Sequence, residues 1–540
     1  MCGIWISIID NLVIQLNDEK IYEKIKERGP DQQNIINHNL FKIAFYRLSI
    51  NDLSNQGLQP FYEKFDNNQY AMICNGEIYN YKDLMNQFNI RSYTHSDCEI
   101  ILPLFLCLQK DINKLCNLLD GEFAFVIIEY NTENNNIKGW VARDPYGVRP
   151  LFFGYDNDHL IFSSLLKGIS GETNTVFQFP PGHYGYFENK KIQRVDRFYH
   201  PIIKSEDNND IQIIYQTVCH KLIQAVKKRL LSDSPIGALL SGGLDSSLLV
   251  AIIYKILKIE IPVFCIGLKD CESTDAKYAK KVVDHLDIKN FHLVLIDSET
   301  ALSSIDDIIY HCETYDITTI RASIMQYHCA KYIRENTNIK TIINGDGADE
   351  LQMGYLYIKL APNESKAVEE NTKLLEEIHF FDGLRVDRCL GANGLEARLP
   401  YLDKEFVEYF LSIPLELRLP FRKLEKELIR KSFHSVYPGL LPDDVLFRKK
   451  EAFSDGVSSP EKSWYKIIQQ YFDSKKIESK DYVFNPPFSK ESQYYRQKFS
   501  DLFNIYNKNY DTIIPHFWQP NFTTIKDPSA RELHVYDEIS

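Results

Sequence analysis

The chain has 540 residues, 44% of them hydrophobic, which is more than one ordinary domain needs and enough to bury two substantial cores. Its formal net charge of -12 argues against a nucleic-acid partner, since the basic run Arg448, Lys449 and Lys450 is too short to form a phosphate-backbone footprint. The 11 cysteines are odd in number and never spaced Cys-x-x-Cys, which argues against a disulfide framework or a structural zinc site and for a reducing, cytoplasmic setting.

From Met1 to Asp10 there is no basic leader and no cleavable apolar core, and the apolar run 100–108 is too short to span a bilayer, so no membrane association is expected. Up to Tyr199 the texture is strand-like, with aromatic and aliphatic runs at 42–48, 70–74, 123–129 and 160–163. Turn residues punctuate them at Asn75-Gly76, Asp144-Pro145 and Pro180-Pro181-Gly182. A layered sheet domain with few helices is expected over residues 2–200. The polar stretch 204–210 offers nothing to bury and marks a boundary. Beyond it, over residues 211–540, apolar strand candidates at 236–240, 263–268 and 341–343 alternate with helical patterns at 247–257 and 324–333. That alternation predicts a parallel α/β sheet. Residues after Lys475 are expected to form a peripheral helix and tail, and there is no internal repeat.

Cys2 directly follows the initiator, and a small second residue allows Met1 to be removed, leaving a thiol and a free α-amine on one residue. An amine with a pKa of roughly 7.7 to 8.0 can take the thiol proton near neutrality without a histidine. A lone Cys at this position is more often a small buried side chain. Its company alters that reading: Arg28-Gly29-Pro30-Asp31, Arg47-Leu48-Ser49-Ile50, Asn75-Gly76-Glu77-Ile78-Tyr79-Asn80 and Ser96-Asp97 follow within one domain-sized stretch. With Met1-Cys2-Gly3-Ile4 they resemble the class II glutamine amidotransferases, in the expected order. The resemblance implies an αββα-layered N-terminal-nucleophile fold with Cys2 as nucleophile. It further implies that Arg47 holds the glutamine carboxylate, Asp97 its amine, and Asn75 and Gly76 the oxyanion. Leu48, Ser49, Ile50, Asn51 and Glu77 complete that pocket. Glu27 departs from the pattern, since several members carry His there; a local effect on loop packing is expected.

The sharpest pattern is Ser241-Gly242-Gly243-Leu244-Asp245-Ser246-Ser247, between an apolar strand and an amphipathic helix. Five such fixed positions arise by chance about once in a thousand chains of this size, so a bare helix cap is the weaker reading. Glycines let backbone close on phosphates, serines supply hydroxyl donors, and the following helix turns its positive end to the anion. The segment resembles the PP-loop of ATP pyrophosphatases, and it lacks the Gly-Lys-Ser/Thr of a Walker A loop. A second acidic loop, Asn344-Gly345-Asp346-Gly347-Ala348-Asp349-Glu350, again follows an apolar strand. It should therefore lie beside the first at the C-terminal edge of the sheet. By resemblance Asp245 and Asp349 bind Mg²⁺ at the phosphates of ATP, Leu239, Ile266, Asn344 and Gly345 line the adenosine site, and Ser241, Gly242, Gly243 and Ser246 bind ATP through the phosphate loop.

Glu313-Thr314-Tyr315-Asp316-Ile317-Thr318-Thr319-Ile320-Arg321-Ala322-Ser323 and Gly394-Leu395-Glu396-Ala397-Arg398-Leu399-Pro400-Tyr401-Leu402-Asp403 resemble asparagine synthetases more closely than PP-loop enzymes at large. The segments 453–457 and 527–531 extend the likeness almost to the C terminus. In that family Arg321 and Lys426 would meet pyrophosphate, while Asp346 stands where glutamate is usual, one methylene short. The resemblance implies glutamine-dependent amidation of L-aspartate, with ATP as co-substrate and Mg²⁺ as cofactor, through a β-aspartyl adenylate; a homodimer is compatible with it. A β-lactam synthetase, which closes a ring without ammonia, is the nearest rival, and an intact Cys2 pocket counts against it. A regulatory subunit that only binds glutamine or nucleotide is the rival from outside enzymology.

Overall fold

The computed structural model describes residues 1–9, 18–131, 135–156, 159–173, 175–201, 210–421, 424–459, 462–478, 480–503, 513–524, 527 and 529. Two six-stranded antiparallel sheets come from the first part of the chain. One has the order β10-β8-β9-β1-β3-β2, built from β1 (Gly3–Ile9), β2 (Gln32–Asn37), β3 (Phe41–Arg47), β8 (Phe152–Tyr155), β9 (His159–Ser163) and β10 (Thr175–Gln178). The other has the order β12-β11-β7-β6-β5-β4, from β4 (Phe61–Phe65), β5 (Asn68–Ile78), β6 (Gly121–Asn131), β7 (Asn136–Arg143), β11 (His183–Glu188) and β12 (Lys191–Arg197).

The period-two alternation of these strands explains the layering. Ile4, Ile6 and Ile8 of β1 and Ile43 and Phe45 of β3 meet Ala71, Ile73, Ala124 and Val126 of the facing sheet in one core. Residues between them, such as Trp5, Met72 and Phe125, point outward to a second core shared with the helices. On the β5–β7 face, helices Ile101–Cys107 and Ile112–Leu118 close the layer, with Phe105 edge-on to Trp140 at 4.8 Å. This is the expected αββα arrangement.

Asn75-Gly76 corrects one expectation. The dipeptide is a hairpin signal, yet it lies inside β5, paired with Ala124 and Phe123 of β6. A Cβ on Gly76 would lie 2.4 Å from the Glu122 carbonyl, so glycine is demanded by the close approach of β6 and not by a turn. The Asp144 turn is as expected, with its carboxylate accepting from the amides of Tyr146, Val148 and Arg149.

The predicted boundary at 204–210 falls largely outside the described residues; Asp210 caps helix Ile211–Lys228 by accepting from Gln212 N at 2.9 Å. Beyond it lies a five-stranded parallel sheet, order β15-β14-β13-β16-β17, from β13 (Ile236–Leu239), β14 (Val263–Leu268), β15 (Phe291–Ile296), β16 (Thr341–Ile343) and β17 (Glu396–Arg398). The chain steps outward from β13 to β15, then returns to add β16 and β17 on the other side. The switch point therefore falls between β13 and β16, and the loops following both open into one crevice. The helix read at 324–333 is longer, Ile317–Asn336, because its first turns carry Thr318, Thr319 and Arg321 and escape an apolar count; Asp316 caps it. No described helix is long and apolar enough to cross a membrane. The C-terminal segment is less peripheral than expected: Tyr495, Phe499, Ile513 and Ile514 are buried.

Candidate active site

Cys2 enters β1 with its carbonyl 3.1 Å from Arg28 Nε and its Sγ 3.9 Å from the Leu48 carbonyl. Met1 is buried, its Sδ 3.3 Å from Arg28 Nη2. With Met1 attached, burial pushes the Cys2 thiol up to about 11 and the Met1 amine down to about 5. At neutral pH both are then uncharged, and the thiol is a poor nucleophile.

Asn75 is fully buried, and both ends of its side-chain amide lack a hydrogen-bond partner. A buried unpaired amide costs roughly 1–3 kcal/mol, so it points to a use other than folding. Arg47, expected to hold a carboxylate, is fully engaged at its fork. Nη1 donates to Gln32 Oε1 at 2.7 Å and the Ser54 carbonyl at 2.6 Å, and Nη2 to the carbonyls of Asn51 and Asp52. Asn51 Nδ2 donates to Glu77 and, at 3.3 Å, to Asp97 Oδ1, while Asp97 Oδ2 accepts from Ile78 N at 2.6 Å. Burial raises the Asp97 carboxyl; burial, with Asp97 and Glu396 nearby, raises Glu77 well above the usual range. Glu27 reaches the second region, 3.3 Å from Nδ1 of His311 on helix Ile305–Cys312.

In the parallel-sheet region, Ser241 and Ser246 knit the first loop: Ser241 N donates to Ser246 Oγ at 3.1 Å and the two hydroxyls are 3.0 Å apart. Gly243 caps helix Leu244–Ala251, whose positive end faces the loop. Gly242 has φ +71°, and its missing Cβ would collide with Ala279 N at 2.3 Å, so this glycine turns the loop and does not line the cavity. The second loop comes within contact of the first, a Cβ on Gly345 lying 3.1 Å from Ser246 N. Asn344 Oδ1 accepts from Asp346 N at 3.0 Å, an Asx turn that sets the loop's shape.

One cavity gathers Leu239, Ser241, Gly243, Asp245, Ser246, Ile266, Asn344, Gly345, Asp346, Asp349 and Lys426. Phe264 and Cys329 give it an apolar wall, and Arg448, Lys449 and Lys450 a cationic one. Lys426 Nζ lies 2.5 Å from both Asp245 Oδ2 and Asp349 Oδ1, and Lys450 takes the other Asp349 oxygen. Despite burial, these two lysines hold the Asp349 carboxyl below its usual range. Asp346 Oδ1 lies 2.8 Å from Arg385 Nη2; burial raises its carboxyl to about 6 against the pull of that guanidinium.

Asp245 Oδ1 is buried without a hydrogen-bond partner. Asp245 and Asp349, brought together at Lys426, fit a divalent cation that arrives with phosphate oxygens, which needs few protein ligands. No group of three or more His, Cys, Asp or Glu suited to a metal occurs among the described residues.

Arg321 departs from expectation. Its guanidinium is bidentate to Glu491, at 2.9 and 2.7 Å, and to Asp527, at 3.0 Å twice, and it does not line the cavity. Lys450 and Arg385 were not singled out from sequence. The signal for Lys450 was there, in a basic run just ahead of Phe453-Ser454-Asp455 that faces the phosphate loops and not solvent.

Two paths tie the thiol to the crevice. Arg28 pairs bidentately with Asp387, at 2.8 and 2.9 Å, on helix Asp382–Gly391, the helix that carries Arg385 to Asp346. Glu77 meets Arg398 Nη2 at 3.2 Å, and the Arg398 carbonyl accepts from Asn344 N at 3.1 Å. The loop carrying Leu48–Asn51 is clamped from the same side: Ser49 O accepts from Ser234 Oγ at 2.8 Å and Lys340 Nζ at 3.2 Å, and Ile50 O from Asp233 N at 3.0 Å.

Comparison with known proteins agrees with this geometry. Residues 1–205 match the glutamine amidotransferase domain family, and residues 217–377 and 361–521 match the asparagine synthase family. The chain is 40% identical over 545 residues to a probable asparagine synthetase (glutamine-hydrolyzing) of Acanthamoeba polyphaga mimivirus, covering 95% of this chain and 96% of that one. It is 38% identical over 578 residues to the asparagine synthetase (glutamine-hydrolyzing) of Gallus gallus and over 576 to that of Homo sapiens, with 99% of each chain covered in both. The chain thus belongs to the glutamine-hydrolysing asparagine synthetases.

Proposed function

We propose that this chain makes L-asparagine from L-aspartate, ATP and the amide nitrogen of L-glutamine at two centres, the first on residues 2–200 and the second on 211–540. Once Met1 is removed, the Cys2 amine takes the thiol proton and the sulfur adds to the glutamine carbonyl carbon. The Asn75 amide and the Gly76 backbone stabilise the oxyanion, a task in which one donor is typically worth about 2.7–4 kcal/mol. The proton passes to the departing ammonia, and water hydrolyses the thioester to glutamate. Arg47 can take the glutamine carboxylate only if the 51–54 carbonyls yield, so glutamine binding is coupled to that clamped loop.

At the second centre an oxygen of the aspartate β-carboxylate attacks the α-phosphorus of ATP, pyrophosphate leaves, and ammonia displaces AMP from the β-aspartyl adenylate. The apolar wall beside Leu239 and Ile266 suits the adenosine, and Lys426 and Lys450 are fixed cations for the leaving pyrophosphate. Asp245 and Asp349 would hold Mg²⁺, which when bound neutralises phosphate charge. Aspartate belongs in the adjoining cavity, which shares Asp346, Asp349, Arg385 and Lys450 with the first. Arg321, held by Glu491 and Asp527, is not given a contact to pyrophosphate in this reading. A reactive thiol among 11 free cysteines suits a reducing, cytoplasmic setting.

The observation that carries the reading is that one helix, Asp382–Gly391, joins the two centres: its Asp387 holds Arg28, which meets the Cys2 carbonyl, and its Arg385 holds Asp346, a link that a pair of unrelated activities would not need. Product analysis with glutamine, aspartate, ATP and Mg²⁺ tests it. Asparagine, glutamate, AMP and pyrophosphate should form in equal amounts, and pyrophosphate should vanish without aspartate; ADP with inorganic phosphate would refute the adenylate.

A further inference from the structure

The cavity beside the phosphate crevice has an outer wall that none of the three sheets supplies. Its floor is the first turn of helix Ile317–Asn336, where the Thr318 hydroxyl is buried without a hydrogen-bond partner. Arg385 and Lys450 bring positive charge to it and Asp346, Asp349 and Asp382 negative charge, so both the carboxylates and the amine of a small amino diacid find partners. The outer side is closed by Trp518 and Pro520, residues far along the chain from every other lining group.

This stretch is pinned more firmly than a tail needs to be. Trp518 N donates to Asp316 Oδ1 at 2.7 Å, and the other oxygen of that carboxylate caps the floor helix through Thr319 N at 2.8 Å. The indole packs against Tyr355 and Tyr357, ring centroids 5.4 and 5.9 Å away, and Tyr355 donates to Asp382 at 2.7 Å. His516 Nε2 lies 2.9 Å from Glu377. Further on, Asp527 accepts both ends of the Arg321 fork, and Ser529 Oγ donates to Asp455 Oδ1 at 3.0 Å. Arg321, buried and facing away from the cavity, is thereby explained: it fastens the wall.

We propose that residues 513–522 form the outer wall of the aspartate site, with the Trp518 indole setting the length of the substrate and Arg321, through Asp527, as the positioning residue for that wall. The proposal rests on the reading of this cavity as the place of aspartate. An indole held by a backbone hydrogen bond and two tyrosine rings is a stiff stop, and a glutamate, one methylene longer, would press on it. A single methylene in such a pocket is worth about 10- to 200-fold in discrimination.

The test uses full-length Trp518→Ala, Trp518→Phe and Asp527→Ala, with pyrophosphate release driven by ammonia at varied aspartate, glutamate and ATP. Glutaminase activity of each preparation reports folding. Trp518→Ala should raise KM for aspartate at least tenfold, leave KM for ATP within twofold, and lower the aspartate-to-glutamate preference in kcat/KM about tenfold. Trp518→Phe should move the same quantities less, and Asp527→Ala should raise the aspartate KM and add nothing in the Trp518→Ala background. Unchanged aspartate KM and unchanged preference in the Trp518 variants, with glutaminase intact, would overturn the proposal. Aspartate-independent pyrophosphate release by the wild-type chain would instead bring down the cavity assignment, and the wall with it.

Discussion

Truncating Asn75 to Ala separates catalysis from folding more sharply than any other change in the N-terminal centre. The side chain is fully buried, yet neither amide atom makes a hydrogen bond, so Asn75→Ala removes no bond from the resting protein. It also relieves a buried unpaired polar group, worth roughly 1–3 kcal/mol, against the small packing loss of its few atoms. Stability should therefore hold or rise slightly. In the transition state the same amide donates to the oxyanion, and losing it should cost about 2.7–4 kcal/mol, a fall of roughly 100- to 1000-fold in glutaminase kcat. Glutamate release at saturating glutamine, ammonia-driven asparagine synthesis and thermal melting on one preparation check all three parts. Synthesis from ammonia should stay within twofold and the melting temperature should not drop. A lower melting temperature with parallel loss of both activities would make Asn75 a structural residue and refute the reasoning.

Lys426→Ala leaves the Asp245 and Asp349 carboxylates facing each other with only Lys450 in support, an uncompensated buried charge costing about 3–5 kcal/mol. Melting with and without Mg²⁺ should show the ion stabilising this variant more than the wild type, and equal stabilisation would deny the pair a metal role. A chain that keeps Met1 behind a non-cleavable extension should hydrolyse almost no glutamine at pH 8. Its thiol, raised to about 11, is protonated below that value, so only about one in a thousand is thiolate at pH 8 and the rate should climb as pH rises towards 11; wild-type hydrolysis at pH 8 would contradict this. The Asp346 carboxyl, raised to about 6, is charged only above that pH, so aspartate-dependent pyrophosphate release should fall as pH drops through 6. Asp346→Glu, which carries the carboxylate about 1.5 Å past Arg385, should lower the rate of asparagine formation; a faster variant would mean that Asp346 is too short for its task.

What could be read without coordinates was what depends on neighbours in sequence. The Ser241–Ser247 loop needs glycine where φ is positive or a helix packs close, and serine and aspartate beside a helix start, so its pattern survives in one short stretch. The strands of both regions were legible from their apolar runs for the same reason. Asn75-Gly76 was misread as a turn because the demand for glycine comes from Glu122, across the sheet and distant in sequence. The pairing of Arg321 was not legible because its partners, Glu491 and Asp527, lie far down the chain, and a buried fork-to-fork pair looks from sequence like any cation near a site. Lys450 and Arg385 were missed, and the lining role of Trp518 too, since each is placed by tertiary packing and not by local pattern.

The central claim is that nitrogen freed beside Cys2 is consumed at the crevice holding Asp346 before it meets solvent. Supplying glutamine labelled with ¹⁵N at its amide, together with unlabelled ammonium, aspartate, ATP and Mg²⁺, and weighing the asparagine formed tests it directly. The product should carry ¹⁵N well in excess of its share in the free ammonium pool. Asparagine labelled only in proportion to that pool would show that ammonia escapes between the centres and would contradict the account.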